Sequence, residues 1–346
     1  MLITEVVKIF FITTLAFTIA FLMTPLLTHF LYKFKLGKQI RDSKSAPIVS
    51  EMHKKKSGTP TMGGILVWLT VLLLALFFFY VSRISNWQLL KDLNFLNRAQ
   101  TLLPLGVLVA SALVGIVDDW FNVKRIGPAG GGLAMRHRLL IYTLIAMVGA
   151  WWFYYKLEWD VIHVPFLGNF NIGIWYIPLF IFVIVATSFS VNETDGLDGL
   201  AGGTLLTAFS AYTAIAFSLG RIDLAAFCAA IVGALLAFLW FNINPARFFM
   251  GDTGAMSLGV TLGVVAMLTN TVVYLPLIGF VFVLESLSVI IQLTSKKLRK
   301  KKVFLSAPIH HHFEALGWSE PKIVMRFWII AAVSSGLGLI LFLIEK

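Results

Sequence analysis

Long apolar runs separated by short polar segments dominate this chain, at 6–32, 61–82, 102–118, 138–156, 174–191, 200–219, 223–241, 255–270, 272–294 and 323–344. A hydrocarbon core about 30 Å thick takes roughly 20 helical residues at about 1.5 Å each, so most of these runs are long enough to span it. The runs are continuously apolar, whereas barrel strands would alternate apolar and polar over about ten residues. The pattern therefore predicts an all-α polytopic integral membrane protein with about ten transmembrane helices, forming a single domain over 1–346. Composition agrees: 58% hydrophobic and 13% charged residues, with a mean hydropathy of +0.86, exclude an ordinary soluble pair of domains. Lys8 is followed by an apolar run too long for a signal peptide, and no small-residue cleavage site follows, so the first span is expected to remain in the mature protein.

The net charge of +11 raises nucleic acid as a partner, but the placement of the charge points to topology instead. Lys33, Lys35, Lys38, Arg41, Lys44, Lys54, Lys55 and Lys56 crowd the first loop, and Lys296, Lys297, Arg299, Lys300, Lys301 and Lys302 crowd the ninth. With ten spans these loops share one side with Lys124, Arg125, Arg136 and Arg138, and the positive-inside rule makes that side cytoplasmic. Both termini then face outward, and every acid-rich patch falls on the cytoplasmic face. Between the fourth and fifth spans, Leu157 to Gly173 reads as a small external hairpin, with His163 as a surface or locally bonded histidine. The lone Cys228 sits in an apolar helix as a small buried hydrophobe. Neither an internal repeat of transporter type nor a low-complexity tract interrupts the pattern.

Against this oil, four patches of acid, amide and glycine stand out: Val117-Asp118-Asp119, Asn192 through Gly199, Asn242 through Asp252, and Pro308 through His312. Carboxylates beside membrane spans are costly to desolvate, so several of them point to a cation or a charged substrate. Asp118 and Asp119, adjacent on a helix, point about 100° apart and suit two tasks better than one chelate. Asn192, Asp195 and Asp198 recur every three residues, close enough to helical spacing to share a broad face, with Gly196 and Gly199 allowing tight turns. That stretch resembles a phosphate or metal site, and an Asp- and Gly-rich turn joining two spans would look similar. Asp252 opens a span, and dispersed aspartates meeting a diphosphate suit magnesium, which keeps waters and takes ligands from substrate phosphates. His310, His311 and His312 are consecutive and cannot all face one metal from a helix, so they suit phosphate or base contacts. Lys54, Lys55 and Lys56 precede a glycine-rich entry into the second span, Ser57 to Gly64, where backbone donors and a lysine can hold phosphate oxygens; the order is not that of a P-loop.

Taken together, Lys56 through Gly64, Val117-Asp118-Asp119, Asn192 to Leu200, Trp240-Phe241-Asn242, Phe249-Met250-Gly251-Asp252 and Ala307 through Glu314 resemble the phospho-N-acetylmuramoyl-pentapeptide transferases, in order and over nearly the whole chain. The resemblance implies ten transmembrane helices, commonly a homodimer, and a magnesium-dependent exchange at the inner face of the bacterial cytoplasmic membrane. UDP-MurNAc-pentapeptide and undecaprenyl phosphate would give lipid I and UMP, a membrane step of peptidoglycan synthesis. It implies Asp252 as a magnesium ligand and Asp118, with Asp119 beside it, as a candidate for activating the lipid phosphate. Asn192, Asp195 and Asp198 match positions implicated in uridine and diphosphate binding, and Gly251 and Arg138 join them as substrate contacts. Lys56, Asn242 and His310 match catalytically important positions, with His311 and His312 completing a triple histidine. The chain departs from the family pattern at Asn122 and Arg138, where lysines are usual, and at Ala255, where serine is usual. Arginine still holds phosphate, as a planar fork rather than a point charge.

The expected chemistry is attack of the lipid phosphate on the β-phosphorus with loss of UMP, in one step rather than through an aspartyl phosphate. A related polyprenyl-phosphate N-acetylglucosamine-1-phosphate transferase is the nearest alternative. A secondary transporter would place its ionisable groups near the midplane and show paired repeats.

Overall fold

The computed structural model describes residues 2–37, 56, 58–98, 100–127 and 131–346. Lys38, Arg41, Lys44, Lys54, Lys55 and Ser57, read above as part of the basic loop and the glycine-rich entry, lie outside the described residues. The long elements are α1 (Leu2–Lys33), α2 (Ile65–Ile84), the short α3 (Gln88–Asp92), α4 (Leu102–Val123) and α5 (Met135–Trp151). After them come β1 (Val161–Val164) and β2 (Gly168–Asn171), then α6 (Tyr176–Thr194), α7 (Leu200–Ser218), α8 (Ile222–Asn242) and α9 (Gly251–Leu268). The chain closes with the short α10 (Leu275–Ile278), α11 (Phe280–Arg299), α12 (Ile309–Ala315) and α13 (Glu320–Glu345).

Nine helices among the described residues are long and apolar enough to cross a membrane. The expected span at 272–294 is where the structure differs. A four-residue helix ends at Gly279, and the long helix starts only at Phe280, running through Lys296 and Lys297 to Arg299. Those cations belong to the last turn of α11, where the helix C-terminus favours them, rather than to a loop. At 20 residues α11 has a span's length, about 30 Å, but its composition is mixed. Glu285, Ser288, Gln292 and Ser295 form a polar stripe that is buried, while Leu287, Ile290, Ile291 and Leu293 point outward.

At the centre stands α9, packed against α4 and α6. Every residue of α9 except Asp252 is buried. Small residues make that enclosure possible: a Cβ on Gly115 of α4 would collide with the backbone of Asp252 and Thr253, and one on Gly64 with Gly254. Backbone hydrogen bonds from Gly63 to Phe249 (2.8 Å) and from Gly64 to Met250 (2.9 Å) tie the entry of α2 to the entry of α9. The expected hairpin forms, with Val161 opposite Asn171 and Val164 opposite Gly168. Cys228 is buried in α8, as its apolar neighbours predict.

Candidate active site

The functional candidates gather at one end of the bundle, where α4, α6, α8 and α11 finish and α5, α9 and α13 begin. The start of α9 organises the first group. Gly251 has φ of +73°, and a Cβ there would run into Thr61 and the Asp119 carboxylate, so the position requires glycine for both reasons. Asp119 takes a hydrogen bond from the Thr253 amide (3.0 Å) and one from the Thr61 hydroxyl (2.9 Å), while Asp195 accepts from the Gly251 amide (3.1 Å). Two carboxylates from other segments thus satisfy amide donors that open α9, a position where its dipole stabilises negative charge.

Asp118 and Asp119 diverge, as their adjacent positions on α4 require. Asp118, 3% exposed, accepts from the Leu133 amide (2.6 Å) and lies 2.7 Å from Arg138 Nε. The same guanidinium donates to Asp252 (3.0 Å) and to Asn192 (3.0 Å), and Asn192 also donates to Asp252. Arg138 is therefore a fork with three partners from α4, α6 and α9.

Asn192, Asp195 and Asp198 do not share one face. Helix α6 ends at Thr194, and the chain turns through Gly196 and Gly199, the latter with φ of +83°. Asn192 faces Arg138, Asp195 faces Gly251, and Asp198 swings to a second group. There Lys56 Nζ lies 2.6 Å from Asp198 and 2.5 Å from Glu320, and Asn244 donates to both acids (3.0 and 3.1 Å). Asn242 joins the two groups without facing either: it accepts from the Gly199 amide (3.0 Å) and donates to the Phe248 carbonyl (2.8 Å).

The three histidines separate, in line with their consecutive positions. His310 points into the core and meets Glu285 at 2.9 Å, His311 meets Glu314 at 2.6 Å, and His312 accepts from the Leu305 amide (3.2 Å) with its ring against Phe304. Burial works against charging the His310 ring; the Glu285 carboxylate and its hydrogen bond outweigh that penalty, helped by Glu314 and Glu193. The imidazole pKa consequently lies above the usual histidine value.

Among the described residues, no three or more His, Cys, Asp or Glu side chains are grouped so as to hold an ion unaided. Magnesium asks for less, one or two carboxylates with waters and substrate phosphates completing its shell. Asp252 and Asp118 offer an all-oxygen donor set against a single guanidinium, which fits that ion.

The chain matches the family model for glycosyl transferase family 4 over residues 101–270, and signature 1 of phospho-N-acetylmuramoyl-pentapeptide-transferase over residues 56–66. Among its relatives, the phospho-N-acetylmuramoyl-pentapeptide-transferase of Chloroflexus aggregans is 40% identical, over 99% of this chain and 92% of that protein. Those of Anoxybacillus flavithermus (40%) and Bacillus subtilis (38%) each align over 96% of this chain and 97% of their own length. The chain belongs to the phospho-N-acetylmuramoyl-pentapeptide-transferase family.

The family signature coincides with the segment that carries Lys56 to Asp198 and Glu320, and Thr61 to Asp119. Two acids that meet the candidates, Glu285 and Glu320, were not singled out by reading the sequence. Glu285 had a signal, since it is the only Asp, Glu, Lys, Arg or His inside the run 272–294, and intramembrane acids mark function. Glu320 had none, being one more acid at the start of a helix.

Proposed function

We propose that this protein transfers phospho-N-acetylmuramoyl-pentapeptide from UDP-MurNAc-pentapeptide to undecaprenyl phosphate, releasing UMP and leaving lipid I in the bacterial cytoplasmic membrane. The observation that carries this reading is the meeting of Asp118, Asp252 and Asn192, from three helices, on the Arg138 guanidinium, in a chain with relatives of that name along nearly its full length.

In the reaction, an oxygen of the lipid phosphate attacks the β-phosphorus of the nucleotide sugar, and the bond from that phosphorus to the bridging oxygen breaks. UMP departs with the bonding pair. Asp252, with Asp118 beside it, would hold magnesium, which supplies charge neutralisation and a template when bound. Arg138 donates its fork to phosphoryl oxygens as its hold on the carboxylates is relaxed, a bidentate geometry that lysine lacks. Asn192 fixes the orientation of Asp252, and Asp119, hydrogen-bonded to the start of α9, holds the helix end that carries that carboxylate. Lys56 brings a cation between Asp198 and Glu320 for a further phosphate oxygen. Direct transfer suits this arrangement, because two phosphates can meet between fixed donors without a covalent stop.

The active end faces the cytoplasm in this reading and both termini face outward, supported by the cations of α11's last turn and of the segments next to the acids. The exposed apolar faces serve lipid and a second copy in a homodimer, a state that light scattering of the detergent-solubilised protein measures directly.

The deciding assay follows UMP release from UDP-MurNAc-pentapeptide and from UDP-GlcNAc, each with and without undecaprenyl phosphate and magnesium. Turnover of the muramoyl substrate that needs both additions is expected. Turnover of UDP-GlcNAc alone would assign the related transferase activity instead, and an aspartyl phosphate formed without the lipid would replace the direct route by a two-step one.

A further inference from the structure

Among the described residues, the His310–Glu285 pair is an incompletely satisfied polar group in the interior. Both side chains are wholly buried (0% exposed), joined by the 2.9 Å contact between His310 Nδ1 and Glu285 Oε2. Glu285 Oε1 and His310 Nε2 have no hydrogen-bond partner. Stranding a buried polar atom is costly, more so when it is charged, so such a pair calls for an explanation.

The direction of Nε2 indicates that use. It lies against Gly196, the centre of the turn between Asn192 and Gly199, and a Cβ at that position would overlap the ring. Only a glycine hydrogen separates the imidazole nitrogen from the turn that carries Asn192, Asp195 and Asp198. The carboxylate behind the ring decides what Nε2 offers: with Glu285 accepting from Nδ1, Nε2 bears a proton only when the ring is cationic. We propose that Glu285 is a positioning residue that fixes His310 with an Nε2–H donor directed at the Asn192–Gly199 turn, where it meets an anionic oxygen of the nucleotide-sugar diphosphate. This rests on the transferase reading above for the identity of the anion, though not for the existence of the pair.

Several groups bear on the ring. Glu285 reaches it from α11, Glu193 from the end of α6, and Glu314 from its own helix, while the His311 ring lies 4.1 Å away between centroids. The acids favour the cation, in keeping with the raised pKa. The sign follows: the donor form is complete below the usual histidine pKa and is lost as pH rises through the raised value. Without the Glu285 charge that loss moves to lower pH.

The test compares the full-length protein in lipid nanodiscs with Glu285→Gln and Glu285→Asp, using UMP release from UDP-MurNAc-pentapeptide across pH. Glu285→Gln is expected to lower kcat by on the order of 10- to 100-fold with KM within a few-fold, and to shift the alkaline limb toward lower pH. Glu285→Asp should recover much of both. Nitrogen NMR of histidine-labelled protein, with His310 assigned by loss of its signal in His310→Gln, should show a ring that stays cationic to higher pH in the wild type than in Glu285→Gln. A superimposable pH profile, with activity falling only in step with thermal stability, would overturn the proposal, as would a neutral His310 ring in the wild type at pH 7. A wild type that leaves UDP-MurNAc-pentapeptide intact while His310 titrates as stated would overturn the diphosphate as the anion and, with it, the transferase reading, leaving the pair in place.

Discussion

The two ends of the bundle handle charge differently. At the end opposite the candidate site, Lys8 meets Asp223 at 3.0 Å, and Asn97 donates to the other oxygen of the same carboxylate. His163 bridges Asn169 and Glu345, both at 2.9 Å, and Glu345 also takes the Phe166 amide (2.7 Å) and the Tyr274 hydroxyl. Asp223 and Glu345 each have a basic partner of their own and neutral donors besides. At the candidate site, by contrast, Asp118 and Asp252 share Arg138, and Asp198 and Glu320 share Lys56. Among the described residues, the buried pair left with unsatisfied side-chain atoms, Glu285 and His310, also belongs to that end. Saturated pairing fastens elements together. Acids held two to a cation leave room for a charged ligand.

Asp252→Asn is the strongest way to break the comparison. It removes one of the two charges on Arg138, at the one residue of α9 that is not buried, with almost no change in volume. UMP release should fall on the order of 10³-fold, while the thermal midpoint in detergent stays within a few degrees. Near-normal turnover at saturating magnesium would return Asp252 to the ranks of structural acids.

Arg138→Lys sharpens the same point with a smaller effect. An ammonium cannot reach Asp118, Asp252 and Asn192 together in a planar fork, so a loss of roughly 10- to 100-fold is expected, mostly in kcat. Full activity in the variant would show that the fork is dispensable and that a point charge suffices.

Much of this arrangement was legible in the chain, and the remainder has physical reasons. Continuous apolar runs fix helices because bilayer hydrocarbon admits no unpaired backbone, and the acid patches at their ends mark the site. The Asn192–Asp198 stretch misled because a three-residue spacing implies one helical face only if the helix continues; it stops at Thr194, and Asp198 turns to Lys56 and Glu320. Helix α11 starts later than the apolar run 272–294 suggests, because hydropathy averages over a helix and does not see faces. Its polar residues at 285, 288, 292 and 295 follow helical spacing, but they point inward and its apolar ones outward, the reverse of a soluble helix. Pairing across distant segments, as between His310 and Glu285, has no local signature at all.

At the far end, Asp223→Ala tests the other half of the contrast. Lys8 and Asn97 lose their shared partner in a partly exposed setting, so stability should drop by about 1–2 kcal/mol. Turnover per folded molecule should stay within two-fold. A loss of activity at unchanged stability would mean that the two ends are coupled through the helices and that the clasp is part of the mechanism.

Cys228→Ala should have the smallest effect of all. The thiol sits in α8, wholly buried, and takes no part in the polar groups of the candidate site. Removing one sulfur leaves a small void worth about 1 kcal/mol or less, and kcat should not change. The variant thus measures how far a pure packing defect spreads: if it cost as much activity as Asp252→Asn, losses at the site end would reflect disturbed helix packing. An unchanged kcat at a slightly lower thermal midpoint assigns those losses to the carboxylates and the guanidinium they share.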